Sequence, residues 1–260
     1  MMKESGKYEK NGDMQQKIKK YLAIIMAIVL LGAMLILSRQ AATYIPSSTD
    51  EVWVSWTKKE QTPEIQTRAH VVLDAGHGGM DPGKIGINQA KEKDINLQIA
   101  KKVKKYLEAS DIQVTMVREE DKGLYEETDK NKKVTDMRNR VGLIDASGAD
   151  IAVSIHQNSY QTEDVKGAQV FYYKNSLYGK EMAETMQEAM IQVLKPDKVR
   201  AAKQNDSYYL LKKTSTPTII VECGFLSNWE EAQALSEETY QERIAWAIHI
   251  GILRYLNKSA

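Results

Sequence analysis

His70-Val71-Val72-Leu73-Asp74-Ala75-Gly76-His77-Gly78-Gly79 runs a short apolar strand, His70 to Asp74, straight into a glycine-rich turn that carries a histidine. The same pattern recurs twice. Ile151 to Ile155 is an apolar strand ending in His156, and Thr218 to Val221 is another, ending in Glu222. Pro217 stands at the start of the latter, where a missing N–H is tolerated. Helical stripes lie between: Ile95, Ile99, Val103, Tyr106 and Leu107, then Met137, Val141 and Ile144, then Leu177 to Leu194 with Pro196 after it, and last Ile244, Ile248, Ile252 and Tyr255. Ile112 to Val117 and Ala168 to Tyr173 read as strands, Tyr208 to Leu211 as an edge strand, and Glu119 to Lys133 as a charged surface loop. This alternation predicts a single α/β domain over residues 69–260, with a mostly parallel twisted sheet flanked by helices. Sites in such sheets gather beyond the carboxyl ends of strands. His77, His156 and Glu222 all fall there.

Glu92 opens a helix between the two histidines, in Lys91-Glu92-Lys93-Asp94. Two imidazoles and a carboxylate suit a catalytic zinc, and a further glutamate beside it can carry protons in a hydrolysis. Taken singly the residues say less. Glu92 also fits a solvated first-turn acid favoured by the helix dipole. Glu222, directly after Thr218-Ile219-Ile220-Val221, is costly to bury without a cation, a functional use or a structural ion pair. Cys223 beside it reads as a small buried hydrophobe, with a nucleophile as the alternative. His70 and His249 read as packing or surface residues. Arg118, Arg138 and Arg140 are candidates for a substrate carboxylate or for salt bridges.

Residues 1–20 are polar and end in Lys17-Ile18-Lys19-Lys20, and an uncharged apolar run follows from Tyr21 to Leu37. At about 17 residues it stands at the lower limit for a membrane span. The preceding lysines place the N-terminus in the cytoplasm and the rest outside. Cleavage as a signal wants small residues at −3 and −1. Ser38-Arg39-Gln40-Ala41-Ala42 puts Gln or Arg at −3, which favours an uncleaved anchor. Residues 38–68 are a linker without periodicity, in which Trp53 and Trp56 could meet the membrane interface or the domain. A net charge of +1 with interleaved Lys and Glu argues against nucleic acid as a partner. One cysteine excludes an intramolecular disulfide.

Several stretches together resemble the zinc-dependent N-acetylmuramoyl-L-alanine amidases of the amidase 3 family. They are Leu73-Asp74-Ala75-Gly76-His77-Gly78-Gly79-Met80-Asp81-Pro82-Gly83, Glu92-Lys93-Asp94-Ile95-Asn96-Leu97, Arg138, Ser154-Ile155-His156-Gln157-Asn158, and Val221-Glu222-Cys223-Gly224-Phe225-Leu226-Ser227-Asn228. They come in the family's order across Val71 to Leu256. The resemblance implies a six-stranded sheet, zinc (Zn2+) on His77, Glu92 and His156, Glu222 as catalytic acid/base, and peptidoglycan as substrate. Asp136-Met137-Arg138-Asn139-Arg140-Val141, Gly167-Ala168-Gln169-Val170-Phe171-Tyr172-Tyr173 and Gly251-Ile252-Leu253-Arg254-Tyr255 resemble the germination-specific, spore-cortex branch. That branch implies a membrane-anchored or secreted protein on the extracytoplasmic face, in the intermembrane space of the developing spore, and leaves room for an activating protein partner. One departure is Met116-Val117-Arg118, where family members often carry Thr-Arg. A zinc peptidase cutting within the stem peptide would use the same ligands. A catalytically idle wall-binding or regulatory protein would have no need of all four polar residues.

Overall fold

The structure, a computed structural model, describes residues 20–22, 24–34 and 69–259. The chain divides into two units, Met1–Glu64 and Ile65–Ala260. In the first, residues 20–22 and 24–34 are helical with exposed apolar side chains such as Ile24, Ile28 and Leu31. Among the described residues no helix is long and apolar enough to cross a membrane. Residues 24–34 rise only about 16 Å at 1.5 Å each, against a hydrocarbon core of about 30 Å. The anchor expected over Tyr21–Leu37 is therefore not carried by the described residues alone, since positions 23 and 35–37 lie outside them. The linker at 38–68, with Trp53 and Trp56, lies outside them as well.

The second unit is the expected α/β domain. Its strands are β1 (His70–Ala75), β2 (Gln113–Met116), β3 (Ile151–Asn158), β4 (Gln169–Tyr173), β5 (Lys203–Asn205) and β6 (Thr218–Phe225), in the sheet order β2-β1-β3-β6-β4-β5. β2, β1, β3 and β6 are mutually parallel, while β4 runs antiparallel to β6 and carries β5 parallel to itself. The helices are α1 (Glu92–Glu108), α2 (Lys132–Ala146), α3 (Leu177–Leu194), α4 (Tyr209–Lys213), α5 (Trp229–Ser236) and α6 (Glu238–Ser259).

Two local readings change. Tyr208–Leu211 is not an edge strand, because α4 begins at Tyr209 and the edge is the polar β5. Leu210 and Leu211 are buried by packing of that short helix under the sheet, and a two-leucine pair cannot distinguish the two periods. Helix α5 had no sequence expectation. Its signal was Asn228 followed three residues later by Glu231, a helix-start pattern, and the Asn228 side chain does accept the Glu231 N–H.

Side chains alternate across each strand, and the two faces are covered unequally. Val71, Leu73, Ala75, Ile151, Val153, Ile155, Ile219, Val221 and Cys223 pack under α1, α3 and α6 in one large core. Burial at about 1.5–3 kcal/mol for each large apolar side chain puts most of the stability there. The other face has a thin cover, in which Val72 and Ala152 meet Ile144 of α2 and Leu210 of α4. Asp74, Ser154, His156 and Glu222 alternate onto this thin side. Asp74 and Ser154 are register partners, as are His156 and Glu222.

Asp74 anchors α2 to the sheet. Its two oxygens accept the Ser154 hydroxyl and the Arg140 Nη1, each at 2.6 Å, with Asp74 and Arg140 both buried. Burial opposes the Asp74 charge, but Arg140 and Ser154 outweigh it and hold the carboxyl below its ordinary value. A lowered folded pKa gives stability that is present above the unfolded value near 3.9 and is lost as pH falls through the folded one. Asp74→Asn should destabilise the fold by about 1–3 kcal/mol, because it removes one of the two carboxylates that pair with the buried Arg140, Asp136 remaining. Urea unfolding at pH 7 and at pH 3 tests this: the gap between the variant and the parent should narrow in acid.

Candidate metal centre

The turn after β1 brings His77 over the sheet end. His77 is itself in the left-handed region, φ 62°, a conformation that costs a non-glycine residue roughly 1–2 kcal/mol. Two arginines hold it there. Arg140 Nη2 donates to the His77 carbonyl at 2.6 Å. Arg118 donates to the carbonyls of Ala75, Gly76, Lys93 and Glu120 at 2.8–3.0 Å. Both guanidiniums are thus fasteners of backbone and do not reach for a substrate carboxylate, while Arg138 is exposed and outside the cleft.

Glu92 is the first residue of α1 and is buried. One oxygen, Oε1, lies 2.9 Å from His156 Nδ1, and the other, Oε2, lies 3.2 Å from His77 Nε2. Backbone donors fix it further: Lys84 N–H to Oε2 at 2.8 Å and Gln157 N–H to Oε1 at 3.1 Å. Burial opposes its charge, but the hydrogen bonds from His156 and His77 prevail and its pKa falls far below the ordinary carboxylate range. The reverse holds for His156. Burial disfavours its cation, yet the Glu92 hydrogen bond and charge push it up to about 9.

Donor atoms of His77, Glu92 and His156 all lie within 4.8 Å of one another, the group among the described residues able to hold a metal ion. The imidazoles stand nearly perpendicular, with centroids 5.0 Å apart. The donor set fits a divalent cation, because a buried ionised carboxylate here draws positive charge onto an imidazole. His77 Nδ1 faces Asp81 Oδ2 at 2.9 Å, the kind of contact that orients a metal-binding imidazole. Asp81 carries no role in the sequence reading. Its only signal was an acid four residues after a histidine in a glycine turn.

Glu222 lines the same cleft, a cavity of about 480 Å³ that also contains Asp136, Met137, Tyr208, Tyr209 and Lys84. It is buried, and its Oε2 has no hydrogen-bond partner. Burial, helped by the Glu92 charge, pushes its pKa up to about 7 against the pull of His156. A carboxyl near neutrality is suited to accepting and returning a proton. Cys223, one residue on, faces the opposite side, where it is fully buried and its thiol is pushed up by desolvation. That removes it as a nucleophile. His70 bonds Thr115, and His249 is buried against Ser110, Tyr106 and Trp246, so both are packing residues as expected.

The fold and the cleft define an α/β protein with a two-histidine, two-glutamate centre at the carboxyl ends of parallel strands. The sequence model of the N-acetylmuramoyl-L-alanine amidase family matches residues 71–254. The chain is 37% identical over 191 residues to the germination-specific N-acetylmuramoyl-L-alanine amidase of Bacillus subtilis (strain 168), covering 72% of this chain and 80% of that one. It is also similar to the CwlD amidase from Clostridioides difficile, solved in complex with the GerS lipoprotein: 42% identity, TM-score 0.71, covering 73% of this chain and 99% of that one. An N-acetylmuramoyl-L-alanine amidase from Clostridium difficile 630 matches at 32% identity and TM-score 0.67, covering 75% of this chain and 100% of that one. The chain belongs to this family and is a peptidoglycan N-acetylmuramoyl-L-alanine amidase.

Gly76 has a geometric reason to be glycine. A Cβ on it would collide with the His156 ring. Gly76→Ala should displace that imidazole and weaken any divalent-cation binding at this group by about 10- to 100-fold, the range seen when a ligand's support is removed. Competition with a chromogenic chelator measures this, and unchanged affinity would show that the ring is not held by this contact.

Proposed function

We infer that the chain is a zinc-dependent amidase that hydrolyses the bond between the lactyl group of N-acetylmuramic acid and L-alanine in spore-cortex peptidoglycan. The observation that carries the mechanism is Glu222: a buried carboxyl near neutrality, with one unpartnered oxygen, on the cleft beside the His77–Glu92–His156 group. Zinc on those three residues would polarise the lactyl carbonyl and lower the pKa of a water towards about 7. Glu222 takes one proton of the attacking water as its oxygen joins the carbonyl carbon. It then delivers that proton to the alanine nitrogen as the C–N bond breaks. The products are a lactyl carboxylic acid and a peptide with a free N-terminal alanine, so atoms and charge balance. Asp81 holds His77 by Nδ1 throughout and leaves Nε2 towards Glu92.

Glu222→Gln keeps the shape and removes the base. Activity on purified cortex, read as new N-terminal alanine, should fall by about 10²- to 10⁴-fold while zinc content holds. Glu92→Gln should lose zinc and activity together. Loss of zinc from Glu222→Gln with retention in Glu92→Gln would exchange the two roles.

The cortex assignment is supported by the germination-specific relative and by the sporulation-type motifs in residues 136–141, 167–173 and 251–255. The solved relative bound to a lipoprotein supports an activating protein partner of comparable kind at the membrane surface. The basic residues before Tyr21 and the apolar run to Leu37 support an extracytoplasmic domain on an uncleaved N-terminal anchor. On this reading the full-length chain stays with membranes through a high-salt wash, and external protease reaches the catalytic domain. Recovery of a soluble form beginning near Ala41 would instead make the segment a cleaved signal.

A further inference from the structure

Next to the cleft lies a second chamber of about 440 Å³, walled in part by Tyr125, Lys130 and Asn131, and Asp81, Lys133 and Asp136 line both spaces. The acids around this chamber are occupied. Asp136 accepts from Arg140 and from the Leu124 N–H, Asp129 accepts the Glu126 N–H, and Asp81 accepts from His77 and the Gly83 N–H. Lys132 is paired with Glu127. Of the lysines around the chamber, Lys133 is the one that also lines the cleft: its side chain is 75% exposed, and among the described residues its ion-pair contact is a long 3.5 Å approach to Asp81 Oδ2.

Folding gives no reason for a lysine there. Lys132 and Lys133 open α2, whose first turn holds no acid, and a helix N-terminus disfavours cations. Local conflicts of this kind are expected where function imposes them. The two arms of the substrate differ in charge. The glycan presents hydroxyls and acetamido groups, whereas the peptide beyond L-alanine presents carboxylates. The Lys133 ammonium lies two polar contacts and one imidazole from the His77 nitrogen that faces Glu92. The 3.5 Å and 2.9 Å contacts and the width of the ring set the upper bound of that separation at roughly 9 Å, within what two extended residues at roughly 3.3–3.6 Å each and a side chain can reach.

We propose that Lys133 binds the carboxylate on the second residue of the stem peptide, so that this chamber takes the peptide arm and selects a free acid over its amide at that position. The proposal rests on the amidase reading above. Its test uses the full-length chain, zinc-loaded, with two muramoyl peptides that differ only in carboxylate against carboxamide at the second residue. The parent protein should prefer the acid, and Lys133→Gln should lower kcat/KM for the acid by roughly three- to fivefold, through KM, the range of an exposed ion pair. Lys133→Arg should restore the preference, and raising the salt should erode it in the parent. Zinc content is measured alongside, because Lys133 also touches Asp81. Loss of zinc in Lys133→Gln, with the acid and amide slowed equally, would make the residue a support of the metal centre and overturn the proposal. The same holds if Lys84→Gln, on a lysine of the cleft outside this chamber, abolishes the preference while Lys133→Gln keeps it. A parent protein that cleaved both substrates equally would remove the subsite alone. One that freed N-terminal alanine from neither would remove the catalytic reading with it.

Discussion

The buried carboxylate of Glu92 organises the rest of the domain. It gathers His77 from the turn after β1, His156 from the end of β3, and the backbone N–H groups of Lys84 and Gln157, while sitting at the start of α1. An ionised group cannot be buried without compensation of about this extent. The compensation therefore dictates where three chain segments meet. Asn96, one turn along α1, braces the arrangement by donating to the Gly76 carbonyl and accepting from Gln157. What makes the cluster able to hold a cation is also what makes it a junction of the fold.

The two-residue period of the strands does the second part. Every strand that carries a site residue has an apolar set on one face and a polar set on the other. Val221 and Cys223 enter the large core while Glu222 enters the cleft. Ile155 is buried on the first side and His156 faces the second. The thin cover given by α2 and α4 leaves room for a cleft there, and the heavier layer of α1, α3 and α6 supplies the stability. A one-residue slip of β6 would put the thiol in the cleft and the carboxylate in the core. The register with β3, pairing His156 with Glu222, excludes it.

The strain of the site is offset outside it. His77 occupies a left-handed backbone conformation, and the groups that hold it there, Arg140 and Arg118, are themselves buried and saturated with carbonyl and carboxylate acceptors. Catalytic tuning follows from the same unequal burial. Glu92 keeps its charge because two imidazoles and two N–H groups face it. Glu222, equally shut off from water but without such donors, has its proton raised towards neutrality. Two glutamates in one cleft are thereby pushed to opposite protonation preferences, one suited to hold a cation and the other to move a proton.

Apolar runs ending in His77, His156 and Glu222, with helical stripes between, were enough for the α/β class and for the strand ends as the site, because periodicity and strand length are local properties. The order of motifs also pointed to the family. Tyr208–Leu211 was misread, and α5 was unread, because segments of four to eight residues take their form from what they pack against. Residue chemistry alone left Glu92 between a solvated first-turn acid and a ligand, and left Arg118, Arg138 and Arg140 equivalent. Only the tertiary structure, which brings Glu92 within 3.2 Å of two histidines 15 and 64 residues away, and buries two of the arginines against backbone carbonyls, could separate these roles. Burial and long-range proximity decide pKa and partnership, and neither is a property of a sequence window.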